Sequence, residues 1–456
     1  VALLALTAAS ANAEVTIAPR VGLSETLTDN VRLNDLNQKS ELVTQLSPGI
    51  RIDVKGARLK TYFDYALTHV SYARGTASGR TQNALNTFGT LEAIDNWAFL
   101  DFSGAISQQA VSAFQSQSID NTSINANRSE VSTYRISPYV RGRLGNTANY
   151  EARYSQTLTN SQSALASDVN AMDASVKFTG GSAFRRLGWS ADATRQNVDY
   201  SKGRTTESDR LNLGLTYAIT PQVNVFANGG QEANNYTTLD KQSHATHGFG
   251  MNWNPSERTK LSASRNTRSF GQAHNVSFEH RTARTTWRVS DVKDVSTTPS
   301  QTGLLMNTET IVPSVIGSFL TSAVSLQRRQ DLSVSLLGVR DTITFTATRS
   351  ESTRLDTLSI GQDDLNSSAV VNQRGFSASY THRLTPDYSL GVVLSQQDTS
   401  GVLSAQDNTL RALNVNVSGK VGHRTSATLS ARRVVSSGSS VPYTENAVTG
   451  NLNVQF

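Results

Sequence analysis

Charged side chains in this sequence recur at every second position. Arg51, Asp53 and Lys55 do so, as do Arg141 and Arg143 with Arg135 six residues earlier; Arg153 and Lys420 sit in similar alternating settings. In an extended chain this spacing places the charges on one face. A wall of such groups binds water, ions and sugar hydroxyls weakly, and a basic excess on it favours anionic solutes or an anionic sugar chain. Asp64, Asp101 and Glu151 fall on the same polar faces, so a solvated wall of mixed charge is the simpler expectation.

Other reactive groupings are thin. His244-Ala245-Thr246-His247 offers two imidazoles, but it is read here as loop, and no carboxylate or cysteine completes a metal site. Asp29-Asn30 and Asp363-Asp364 could hold calcium loosely, yet loop turns explain them equally well. No G-x-S-x-G, phosphate-binding glycine loop or convincing pair of catalytic carboxylates occurs. The expectation is no enzyme, no cofactor and no metal.

The elements that carry the charges alternate with period two. Val448, Gly450, Leu452, Val454 and Phe456 share one face, with Thr449, Asn451, Asn453 and Gln455 on the other. Residues 413–421 and 211–219 repeat the pattern, and Ile50, Ile52 and Val54 alternate with Arg51, Asp53 and Lys55. Tight connections such as Lys55-Gly56-Ala57, Asp95-Asn96, Gly145-Asn146, Asn254-Pro255-Ser256 and Thr385-Pro386-Asp387 alternate with long polar stretches: 29–40, 75–82, 115–130, 162–172, 200–208, 238–244, 357–373 and 401–407. The fold predicted is all-β: a transmembrane, up-and-down antiparallel barrel of about 22 strands (20–24), with short periplasmic turns, long extracellular loops and both ends on the short-turn side.

Composition agrees. No run of 18 apolar residues exists, which excludes a helical span, whereas a barrel turns only alternate residues to lipid. Residues 1–9 are apolar and lead into Ala11-Asn12-Ala13, so 1–13 reads as the remnant of a secretory signal and 14–456 as a single barrel domain. Glu14 enters the first strand almost at once, leaving no room for a plug after residue 13. There is no cysteine, so barrel closure must do what disulfides do in other exported proteins. The net charge of +6, from 42 basic and 36 acidic residues, is scattered rather than gathered in a patch, which argues against nucleic acid. Trp97, Trp189, Trp253 and Trp287 each lie near a predicted short turn, as an interfacial girdle would. The terminal Phe456, at the correct parity of an alternating strand, resembles the signal read by the barrel assembly machinery.

One segment, 297–321, interrupts the pattern. Ile311, Val315, Phe319 and Leu320 fit the apolar face of a short helix within it. By the alternation it is an extracellular or lumen-folded insert, acting either as a constriction or gate, or as a surface helix packed on neighbouring loops.

Several stretches also resemble one family of outer-membrane β-barrels whose genes accompany PEP-CTERM/exosortase and exopolysaccharide clusters in Gram-negative bacteria. They are residues 23–31 (LSETLTDNV), 46–50 (LSPGI), 97–101 (WAFLD) with 106–109 (ISQQ), and 319–321 (FLT) with 326–329 (LQRR). The resemblance implies an outer-membrane location, among lipid and lipopolysaccharide, and a role near export of an extracellular polysaccharide with periplasmic export components as partners. It carries no catalytic residues. The expected function is a channel or conduit for such a polymer; the alternative is a closed structural barrel whose extracellular loops anchor a surface polymer or protein.

Overall fold

The computed structural model describes residues 14–181, 186–297, 319–356, 363–438 and 442–456. Strands run as β1 (Glu14–Thr28), β2 (Glu41–Lys55), β3 (Leu59–Tyr72), β4 (Arg80–Ile94), β5 (Ala98–Ala110), β6 (Arg128–Leu144), β7 (Ala148–Ser161) and β8 (Val169–Gly180). They continue as β9 (Leu187–Tyr200), β10 (Thr206–Thr220), β11 (Val223–Asn234), β12 (Gln242–Ser256), β13 (Thr259–Arg268), β14 (Gly271–Arg281) and β15 (Thr285–Ser296). The last are β16 (Ser325–Leu337), β17 (Asp341–Arg354), β18 (Val370–Arg383), β19 (Tyr388–Ser400), β20 (Asn408–Gly422), β21 (Thr425–Gly438) and β22 (Tyr443–Gln455). A single turn of helix, α1 (Asp364–Ser368), precedes β18.

Each strand pairs antiparallel with its neighbours in sequence, and β22 pairs with β1 from Arg20↔Gln455 to Thr28↔Ala447. The sheet therefore has no free edge between first and last strand, and all 22 strands form one barrel. Its backbone cylinder is roughly 40 Å across, from the inter-strand spacing and a typical tilt.

Period two decides which side chain goes where. On β10, Leu211, Leu213, Leu215, Tyr217 and Ile219 point outward, each about half exposed, while Asn212 and Gly214 face the lumen. The outward apolar band is about four or five alternate residues tall on most strands, the height of a hydrocarbon layer. Towards the long-loop end the outward face turns polar, with Arg195 near Asp209 and Asp291 held by His274 and Arg328. Because the strands continue above the band, several predicted loops are shorter than expected. Arg80 and Gln82 belong to β4, Arg128 opens β6, and Gln242, Ser243 and His244 belong to β12. Conversely, Asn254, Pro255 and Ser256 end β12 past a register shift, and the tight turn is Glu257-Arg258.

Short connections gather at one end, where Asn96 (φ 53°) and Gly145 (φ 56°) adopt the left-handed backbone that tight turns demand. Trp97 closes the turn after β4, and Trp189, Trp253 and Trp287 point outward one or two residue pairs above their turns. The Trp97 indole N–H donates to the Tyr150 hydroxyl at 3.1 Å. Gly142 makes room for that ring, since a Cβ there would stand 2.6 Å from the hydroxyl oxygen. Phe456 is exposed on the outer face, and its backbone N–H donates to Pro19 O at 2.9 Å. Long connections gather at the other end, although β13 and β14 are joined there by Ser269-Phe270 alone, β21 and β22 by residues 439–442, and β9 and β10 by residues 201–205.

Candidate functional site

The inner wall from β1 to β7 concentrates the charged and aromatic groups. Asp64 on β3 accepts both guanidinium nitrogens of Arg20 from β1, at 2.5 and 2.8 Å, and lies 3.3 Å from Arg51 on β2. Arg51 also donates to the Tyr62 hydroxyl at 2.9 Å and lies over that ring, which stacks on Phe88 of β4 with centroids 5.2 Å apart. Two strands further round, Phe99 of β5 stacks on Tyr139 of β6 at 5.0 Å. Arg141 caps Phe99 at 4.3 Å and Arg153 caps Tyr139 at 3.8 Å. Arg153 is pinned by Asp101 (2.8 Å) and Glu151 (3.0 Å). Guanidinium groups over ring faces and between carboxylates are held rigidly rather than left to wave in the channel.

The structure thus brings Arg51, Arg141 and Arg153 onto one aromatic-lined stretch. Asp53 and Lys55 face the lumen beside it, opposite Tyr62 and Lys60 in register. Arg135, Arg141 and Arg143 share the inner face of β6; Arg135 donates to Ser155 Oγ at 3.1 Å. Among the described residues none of these three has a carboxylate within ion-pair distance, whereas Arg20 and Arg153 do. Lys420 also faces inward but lies on β20, away from this group. The aromatic rings were missed in the sequence. The readable signal was parity: Tyr62, Phe99 and Tyr139 occupy the polar-face positions of Asp64, Asp101 and Arg141.

The second part of the site is a clasp of loops at the long-loop end. The β5–β6 loop folds across the mouth and is held on three sides. The Tyr443 hydroxyl donates to Gln117 O, and Arg432 on β21 ion-pairs with Asp120 and with Glu445. On β3 and β4, the Tyr72 hydroxyl donates to Thr122 O and Arg80 donates to Asn121 O and Ser123 O. From nearly opposite, α1 presents Asp364, which accepts from Ser112 Oγ–H at 2.6 Å and Ala113 N–H at 2.5 Å. An apolar knot of Ala113, Phe114, Phe319, Ala323, Leu365 and Val371 seals this junction.

Phe319 and Leu320 are therefore buried where three loops meet, Leu320 against Val111, Val131 and Ala166. Ile311 and Val315, with the helix expected around them, lie outside the described residues. Burial pushes the Asp364 carboxyl up to about 6, with Asp363 adding repulsion and the two donors opposing it. Asp363 caps α1 through Asn366 N–H (3.0 Å) and accepts from Ser322 N–H (2.6 Å). Asp29 accepts from Asn446 at 2.8 and 2.7 Å, so Asp29 and the Asp363-Asp364 pair serve as loop fasteners.

The two histidines correct the sequence reading. They lie in β12, not a loop, and their parity sends His244 inward opposite Glu232 and His247 outward opposite Gly229. One ion cannot reach both. Among the described residues no cluster of three or more His, Cys, Asp or Glu could hold a metal.

Comparison with known proteins adds the following. A family described as a protein of unknown function, DUF481, matches residues 167–268, the stretch from just before β8 through β13. No curated protein matches. Among solved structures, the FrpB iron transporter of Neisseria meningitidis is similar at a TM-score of 0.55 and 11% identity, covering 96% of this chain and 81% of that one. A variant of the ferric enterobactin receptor PfeA of Pseudomonas aeruginosa gives 0.53 and 8%, covering 98% and 81%. BauA, the ferric preacinetobactin receptor of Acinetobacter baumannii, gives 0.51 and 13%, covering 97% and 81%. At these identities the likeness is one of fold: the chain has the barrel architecture of outer-membrane receptors.

Proposed function

We propose that this protein is an outer-membrane conduit for an anionic polysaccharide, closed at its extracellular end by the loop clasp until a partner or the polymer opens it. The apolar outer band and its similarity in fold to outer-membrane receptors support the location, with the short turns in the periplasm. The observation that carries the solute is the inner face of β6, where Arg135, Arg141 and Arg143 have no carboxylate within ion-pair distance among the described residues. The exposed ring of Phe88 on the same wall offers sugar C–H faces a surface, hydroxyls and amides bind sugar hydroxyls weakly, and guanidiniums outside ion pairs attract uronate or phosphate groups. Direction, export rather than uptake, rests on the resemblance to the exopolysaccharide-associated family.

The interlocked loops favour a second reading, a closed barrel that anchors a surface polymer. Planar-bilayer recording separates the two. A conduit gives single channels once residues 112–126 are replaced by a short Gly-Ser linker, and an acidic oligosaccharide such as oligogalacturonate blocks them more than a neutral one. Channels indifferent to both sugars would refute the polysaccharide role. No conductance in the loop-shortened protein, with the barrel folded, would leave the anchor reading.

A further inference from the structure

The outer surface carries a feature that neither a passive wall nor a lumen site explains. On β16 to β21 the outward residues form two parallel rows in register. One includes Leu332, Ala347, Phe376, Gln396 and Arg411; the other includes Val334, Phe345, Ala378, Leu394, Leu413 and Arg433. Ala347 and Ala378 are small where their neighbours are large, and they sink a groove of about 590 Å³ into the apolar band.

Strand stagger makes the groove climb. Val334 is three residues from the short-turn end of β16, whereas Arg433 is eight residues from the short-turn end of β21. Five residues of strand rise amount to roughly 13 Å along the membrane normal at a typical barrel tilt. The apolar end thus lies deep in the hydrocarbon layer, and the arginine end reaches its upper boundary.

Several outward cations, among them Arg265, Lys293 and Arg374, have no ion pair among the described residues, but Arg411 and Arg433 are the ones that line the groove. Arg195, Arg328 and Arg349 each have an acidic partner. Arg411 instead donates to Gln396 Oε1 at 3.2 Å, the same amide that Asp398 holds from above, and Arg433 only grazes Asn446 Oδ1 at 3.5 Å. Both arginines are exposed, and among the described residues neither has a carboxylate within ion-pair distance. An unpaired cation at the edge of hydrocarbon is costly and calls for an anion there.

We propose that this groove binds one phosphorylated acyl lipid, an acyl chain lying across Ala347 and Ala378 and its phosphate accepting from Arg411 and Arg433. Because the arginine end is the long-loop end, the occupant belongs to the outer leaflet, which makes a lipid A-type glycolipid the chemistry that fits. The proposal rests on the outer-membrane placement above and not on the lumen's solute.

Native mass spectrometry of the purified barrel in detergent tests it, with lipid A, phosphatidylglycerol, phosphatidylcholine and inorganic phosphate as separate probes. The expected result is a one-to-one lipid A adduct, with phosphatidylglycerol weaker and phosphatidylcholine absent. Arg411→Gln with Arg433→Gln weakens it at least about tenfold, as loss of two charge-assisted contacts would. Ala378→Trp, which fills the groove and leaves both arginines, weakens it as well. Arg195→Gln leaves it unchanged, and heat-modifiable gel migration shows that each variant is folded. Equal retention of phosphatidylcholine, or an adduct indifferent to Ala378→Trp, overturns the groove. An inorganic phosphate adduct as abundant as that of lipid A, and equally weakened by the two arginine substitutions, reduces the site to a phosphate contact and overturns the lipid assignment. A barrel that binds lipid A but never conducts refutes the conduit and keeps this site.

Discussion

Asp364 has both carboxylate oxygens occupied by donors from the opposite loop, yet sits almost out of water. Desolvation outweighs the two hydrogen bonds, so the neutral form is favoured and the carboxyl titrates near 6 instead of 3.8. For an acid raised in the folded state, the stabilising contribution is complete below the ordinary value and is lost as pH rises through the raised one. The shift corresponds to about 3 kcal/mol at its limit. Amide protection factors over 111–127 and 363–369, corrected for the intrinsic pH dependence of exchange, are therefore expected to be higher at pH 4 than at pH 7.5, and Asp364→Asn should remove most of that difference. An unchanged pH response in the variant would assign the effect to another group. Nothing in the sequence marked this aspartate beyond its acidic neighbour. His244 and His247 were misplaced for a related reason: they lie where β12 rises above the lipid, so outward residues need not be apolar and hydropathy no longer alternates.

At the scale of elements, each strand was legible where one side met hydrocarbon and illegible where both sides met water. That is why predicted loops such as 115–130 and 357–373 swallowed the ends of β6 and β18. The loop clasp was hidden because it depends on contacts between segments some 250 residues apart, such as Ser112 with Asp364. Its trace was a few buried apolar residues in otherwise polar loops, among them Val31, Phe114 and Leu365. The inner face of β6 was readable and has a measurable consequence. In the loop-shortened barrel, Arg135→Gln, Arg141→Gln and Arg143→Gln together should move the reversal potential in a KCl gradient away from anion preference. A change of roughly threefold in permeability ratio follows from a few tenths of a kcal/mol per water-screened charge. Lys420→Gln, a single charge on another part of the wall, should move it less. Equal shifts would mean the lumen reads net charge and not this stripe.

For the whole molecule, strand number and closure were legible because each hairpin repeats one local rule, and an even number of strands brings the ends together. Lateral features were not: the external groove needs six strands in register, which no single stretch of sequence encodes. Closure itself can be tested at the seam. Thr26 and Thr449 face each other across β1 and β22 with hydroxyls 3.0 Å apart, on the lumen side and shielded from lipid. The chain has no cysteine, so Thr26→Cys with Thr449→Cys introduces one defined pair. Directly opposed residues on antiparallel strands have Cβ atoms about 4.5–5.5 Å apart, near enough for a disulfide after a small adjustment. Oxidation in the folded protein should proceed to completion and join the two ends of the barrel. After boiling, the oxidised chain is nearly circular and should migrate ahead of its reduced form on a denaturing gel, while the unboiled forms migrate alike. Failure to cross-link in the folded state, alongside ready cross-linking of a control pair at Thr133 and Thr159 within the β6–β7 hairpin, would mean that β1 and β22 do not meet in this register.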